Sequence, residues 1–162
     1  MMINKINEVA TKKGWTIGKK STPKFDLPEV VVNRYGCFPA DWTEFISNID
    51  GFVNEDETVW FLCSKDYKAQ DENSFRWNEW ELISLQAASD DEDRKWQDNI
   101  RQFWDAHLPI VLSVDNGYEY YAIRLSDGFI IYGHEPEFEE YEEVAKSFTE
   151  FVEKIISGEI DL

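Results

Sequence analysis

Two histidines, His107 and His134, stand 27 positions apart. A metal or general-base site needs histidines paired, or flanked by ligands at helical or hairpin spacing. This pair has neither, so surface or structural roles suit both. Cys37 and Cys63 form no C-x-x-C pair and lie in apolar runs, where they read as small core residues. Ser113 lacks the Gly-x-Ser-x-Gly surround of a nucleophile elbow. Gly14 and Gly18 lack the Lys-Ser/Thr that completes a phosphate loop. No catalytic, metal or cofactor-binding residue is therefore assigned.

Carboxylates are the abundant chemical group. Glu79 and Glu81 flank Trp80 and would share one face of a strand. Asp90, Asp91 and Asp93 have the density of a calcium loop, but the Gly and Glu that an EF-hand needs at positions 6 and 12 do not follow. Asp90-Asp91-Glu92-Asp93 reads better as an acidic cap on a helix, where negative charge meets the positive end of the dipole. The aromatics between Phe75 and Trp104 serve either as core or as anchors of a binding surface. The candidate partner-binding residues are Trp77, Glu79, Glu81, Asp90, Asp91, Glu92 and Asp93. Glu137, Glu139, Glu140, Glu142 and Glu143 read as the outer face of a helix, solvated or used for docking.

Several elements must position these groups. Ile3–Lys13 reads as a short helix ended by Gly14. Val30–Val32, after Pro28, reads as a strand. Pro39 opens a helix carrying Trp42, Phe45, Ile46 and Ile49, with Asp50-Gly51 as its stop. Thr58–Cys63 reads as a buried strand. Within Ser74–Leu85, residues Trp80–Leu85 read as a weak strand or a short helix. Trp96, Ile100, Phe103 and Trp104 form a helical stripe that His107-Leu108-Pro109 ends. Ile110–Val114, Tyr118–Leu125 and Phe129–Gly133, joined at Asn116-Gly117 and Asp127-Gly128, form an antiparallel meander. A long C-terminal helix is expected from Pro136, with Phe138, Tyr141, Val144, Phe148 and Phe151 on one face, ending at Gly158. The expected fold is α+β: an antiparallel sheet with a C-terminal β-meander, helices packed on one face, and a long C-terminal helix.

Composition bounds the function. The 162 residues carry 33 Asp+Glu against 16 Lys+Arg, a net charge of −17, and 15% aromatics. The length fits one domain spanning 1–162, and the aromatics exclude an acidic disordered chain. A chain this acidic is repelled by nucleic-acid phosphates and by anionic membranes, and it favours a basic protein partner. Residues 1–24 hold six lysines and one acid, so the remainder is more acidic than the total. That basic segment either lies against the acidic body or is mobile. No apolar run suggests a signal peptide or a membrane span, and a cytoplasmic location is expected.

Phe38-Pro39-x-x-Trp42-x-x-Phe45 through Asp50-Gly51, then Leu108-Pro109-Ile110 to Ile130-Ile131-Tyr132, then Val144-Ala145-x-Ser147-Phe148-x-x-Phe151, follow one another in an order that resembles the SUKH superfamily. That group contains immunity proteins and a cell-wall-assembly regulator. The resemblance covers most of residues 38–156. It implies a non-catalytic binding protein, with no catalytic motif to carry over. For a bacterial member it implies an immunity protein that neutralises a cognate toxin domain, often a nuclease. The alternative is a regulatory scaffold that binds a cellular protein. A third reading, a small carboxylate-dependent enzyme, requires a deep pocket holding at least two acids with raised pKa values.

Overall fold

The computed structural model of the chain describes residues 1–68 and 75–162. Its first half contains α1 (Met2–Lys13), β1 (Thr16–Lys19), α2 (Glu29–Tyr35), α3 (Ala40–Asn48), β2 (Ile49–Val53), β3 (Val59–Phe61) and α4 (Ser64–Lys68). The second half contains α5 (Glu79–Asp90), α6 (Arg94–Ala106), β4 (His107–Ser113), β5 (Glu119–Arg124), β6 (Ile130–His134), β7 (Tyr141–Ala145) and α7 (Phe148–Ser157). Among the described residues the strands form one antiparallel sheet in sequence order, β1 to β7. The α+β class, the antiparallel sheet and the closing helix are as the sequence indicates. The C-terminal meander proves to be part of a longer one.

The helices cover both faces of the sheet, not one. Phe61, Val111 and Tyr121 lie opposite one another across β3, β4 and β5, and so share a face. That face packs on α7 through Phe61–Phe151 (6.1 Å) and Tyr121–Phe151 (4.9 Å), and on α3 through Phe45–Phe61 (5.7 Å). Trp60, Leu112 and Tyr120 form the opposite face, where Tyr120 meets Trp104 of α6 at 4.9 Å. Every residue of β4 is buried, as expected for a strand covered on both sides. An aromatic-rich sequence supports two such cores, because each large ring removes substantial apolar area from water.

Four local expectations change. Val30–Val32 is helical within α2. Pro28 starts it by accepting from the N–H groups of Val31 and Val32, and the helix buries Val31 and Tyr35 four residues apart. Three β-branched residues are too few to override that start. Asp50-Gly51 does not stop α3, because the chain turns extended at Ile49 and continues into β2. There Gly51 faces Gly18 of β1, and a Cβ on Gly18 would come within 2.3 Å of the Asp50 carboxylate. Cys63 is buried, but Cys37 is exposed and not a core residue. Finally, the long helix from Pro136 does not exist. Tyr141–Ala145 is the edge strand β7, and α7 begins only at Phe148. Ser147 caps α7 by accepting from Glu150 N–H (3.0 Å), while Glu150 accepts from Lys146 N–H (2.6 Å). The pair resembles a capping box, except that Glu150 reaches the N–H of Lys146, one residue before the N-cap.

The ambiguous stretch after Trp80 is helical, in α5; Ser74, where that reading began, lies outside the described residues. The basic N-terminal segment lies against the body. Lys5 pairs with Glu153 at 2.8 Å, Lys13 with Asp161 at 3.4 Å, and Lys12 donates to the Ile156 carbonyl. Lys20 donates to the carbonyls of Lys24 and Ile46 and to Ser64 Oγ, which fastens the chain leaving β1.

Candidate protein-binding groove

The helices α5 and α6 form an antiparallel hairpin. Its turn is the acidic run, exposed at Asp90, Asp91, Glu92 and Asp93. Asp93 is the N-cap of α6 and accepts from Trp96 N–H at 2.9 Å, so the run does cap a helix. Glu92 takes a left-handed conformation, φ 54°, that reverses the chain. Opposite this hairpin runs the connection from β6 to β7. Phe138 anchors that connection. Its ring stacks on Trp80 (5.4 Å, planes 4° apart), and its carbonyl accepts from the Tyr120 hydroxyl.

Between hairpin and connection lies a groove of about 410 Å³. Its floor is apolar, from Ile83 and Ala87 on α5, Trp96 on α6, and Phe138. Ile83 and Trp96 are 38% and 37% exposed, and so present apolar surface to solvent. Glu137, Glu139 and Glu140 line the opposite wall. Glu137 and Glu140 are exposed; Glu139 is half-buried. Its Oε2 accepts from Ser84 Oγ (3.0 Å) and from Trp104 Nε1 (3.2 Å). Burial pushes the Glu139 carboxyl above the usual glutamate range, the two hydrogen bonds oppose this, and the nearby Glu81 charge adds to it. Among the described residues that line the groove, Glu139 is the one acid withdrawn from solvent.

The family model for the SMI1/KNR4 family (SUKH-1) matches residues 29–154. The chain belongs to that family. A search of the curated proteins and one of the solved structures find no match. The SUKH-1 span runs from the start of α2 into α7 and includes every residue that lines the groove. It leaves out α1 and β1.

Within this SUKH-1 chain the seven sequence-expected residues fall at the two ends of α5, a helix of twelve residues and so about 18 Å long. Asp90, Asp91, Glu92 and Asp93 stand at the end that adjoins Ala87 and Trp96 of the groove. Trp77 and Glu79 stand at the other. Trp77 packs against Tyr35 and Tyr67, with the Arg34 guanidinium 5.9 Å from its ring centre. Glu79 accepts from Arg76 N–H. Glu81 is 7% exposed, and both its oxygens accept from Arg34 Nη2 at 2.8 Å. Arg34 also donates to Asp105 of α6, so this ion pair joins α2 to both helices of the hairpin.

Nothing in the sequence pattern marks Ile83, Ser84 and Glu139 as one site. That pattern places Glu139 on a helix face, whereas Pro136–Glu140 is a connection. The signal that locates the true helix start is Ser147-x-x-Glu150, which is present in the sequence.

The histidines stay apart from the groove. His107 is buried, with Nδ1 2.7 Å from the Phe103 carbonyl, and burial lowers its pKa. His134 is exposed on β6. Among the described residues no three His, Cys, Asp or Glu are placed to hold a metal ion, and no helix is long and apolar enough to cross a membrane.

Proposed function

We propose that the chain is a non-catalytic binding protein whose α5–α6 groove receives a basic protein partner. The observation that carries this is the pairing of exposed apolar residues, Ile83 and Trp96, with an acidic wall and an acidic turn, on a chain of net charge −17. Apolar anchors set how long a partner stays, and clustered charge sets how fast it arrives. Asp90, Asp91, Glu92 and Asp93 serve as the charged rim. Trp77 and Glu79 extend the contact surface at the other end of α5, and Glu81 supports that end from within.

SUKH-1 membership supports a finer reading: an immunity protein that acts in the cytoplasm by capping a cognate toxin domain, a basic nuclease being the best electrostatic fit. The test is co-expression with the toxin domain encoded beside it. Rescue of growth together with a purified one-to-one complex is the expected result. Absence of both rescue and complex overturns the immunity reading. A cellular partner held in the same groove, without any toxin, assigns the chain to the regulatory scaffolds instead.

A further inference from the structure

Glu139 differs from the other acids around it. Glu81 has its own arginine, and Asp93 caps a helix. Glu139 is half-buried, yet its donors are both neutral, and among the described residues it makes no ion pair. Both donors hold the same oxygen, Oε2. The carboxylate is therefore fixed in orientation, and Oε1 takes no hydrogen bond from any described residue. Around it lie Trp96, Ile83 and Phe138, surfaces suited to the apolar part of a long side chain. A volume of about 410 Å³ is small, at the scale of one or two side chains and not of a folded element.

We propose that Glu139 is the specificity-determining acceptor for one arginine side chain of the partner, whose guanidinium pairs with the free carboxylate oxygen while its plane stacks on Trp96. The proposal rests on the reading of the groove as the docking site and names what enters it. Arginine fits better than lysine on two counts. It stacks on an indole, and it sheds water more readily than an ammonium on entering a half-buried site. Glu137 and Glu140 on the same wall add attraction for any cation and no geometric demand.

The test uses an acetylated, amidated nonapeptide of alternating arginine and alanine, and its lysine counterpart, titrated into the full chain. Binding is followed by the NMR shifts of the Trp96 indole N–H and the Glu139 carboxyl carbon. The arginine peptide is expected to move both signals. Glu139→Gln is expected to weaken it at least about tenfold, the scale for removing one partner of a close interfacial charge pair. The amide can still accept from Ser84 and Trp104, so the fold is kept. Glu55→Gln removes the same unit of charge from the exposed β2–β3 connection, and is expected to change affinity by less than about twofold, as a screened distant charge should. Trp96→Ala, at an exposed position, is expected to weaken the arginine peptide more than the lysine one. Equal losses in Glu139→Gln and Glu55→Gln, equal affinity for both peptides, or shifts confined to other residues each overturn the proposal. The outcome separates from that of the proposed function. Toxin capture that Glu139→Gln leaves intact removes the arginine assignment alone, whereas a selective arginine site without toxin rescue removes the immunity reading alone.

Discussion

Glu81 and Glu139 are the same residue type, both withdrawn from solvent and close enough for one charge to shift the other. Their surroundings give them opposite roles. Glu81 faces Arg34, with side-chain exposures of 9% and 21%. Glu81→Ala would leave a guanidinium among aromatics with Asp105 as its remaining ionic partner. The expected cost is about 2–3 kcal/mol, below the fully buried range because Asp105 persists, read from the urea midpoint. Glu139 behaves in reverse. Its folded-state pKa is raised, so below the unfolded value both states are protonated and nothing is lost. As pH rises through the window up to the folded value, the native state comes to hold a costly ionised carboxyl, and stability falls. Glu139→Gln should therefore be at least as stable as the parent at pH 7, with the difference vanishing in acid, by the same unfolding measurement. Binding of a cation runs the other way and weakens as pH falls through that window. Sequence showed which residues were acids. It could not show which had a cation, because Arg34 reaches Glu81 from 47 positions away.

At the scale of elements, the groove depends on how firmly the β6–β7 connection is held. Tyr120 of β5 does this from within the sheet, with its hydroxyl on the Phe138 carbonyl. Its ring lies over Gly133 of β6 so closely that a Cβ there would meet it at 2.5–2.6 Å. Gly133→Ala must displace a fully buried tyrosine and release the connection. We expect a loss of about 1–3 kcal/mol, the range for overpacking, visible as a lower thermal midpoint. A weaker response of Trp96 to the arginine peptide should accompany it. The elements differed in how plainly the sequence marked them. The hairpins at Asn116-Gly117 and Asp127-Gly128 were legible because glycine supplies the positive φ each turn needs, 92° at Gly117 and 79° at Gly128. The α6 stripe was legible because Ile100 and Trp104 are buried at helical spacing. In contrast, β7 was hidden. An edge strand needs no buried alternation, and the acids that suit an edge also suit a helix surface. Aromatic residues on both sides of that strand kept a helical spacing by coincidence of position. Helices on both faces of the sheet were equally hard to infer, since burial on two sides leaves β4 buried throughout and its apolar stretch, 108–112, without a period.

For the whole molecule, charge decides how a partner approaches. The lysines of α1 are turned onto the acids of α7 and the C-terminus, at Lys5–Glu153 and Lys13–Asp161. The basic segment therefore offsets charge on a different side of the sheet from the groove, and the field around α5 and α6 stays negative. Steering by such a field acts over a Debye length, about 30 Å at 0.01 M salt and about 8 Å at 0.15 M. Association with a basic partner should slow by about tenfold or more across that range, with dissociation almost unaffected. The rim can be separated from the anchor in the same measurement. Asp90→Asn, Asp91→Asn and Glu92→Gln together remove three exposed charges and spare Asp93, whose carboxylate the first turn of α6 needs. In stopped-flow kinetics this triple variant should lower the association rate several-fold and flatten its salt dependence, because exposed rim charges act before contact. Trp96→Ala should do the opposite, raising the dissociation rate and leaving the salt slope in place, because a seated aromatic acts only after contact. If the triple variant instead changes the dissociation rate, the acidic turn is itself buried against the partner, and the contact surface extends past the groove around the tip of the helical hairpin.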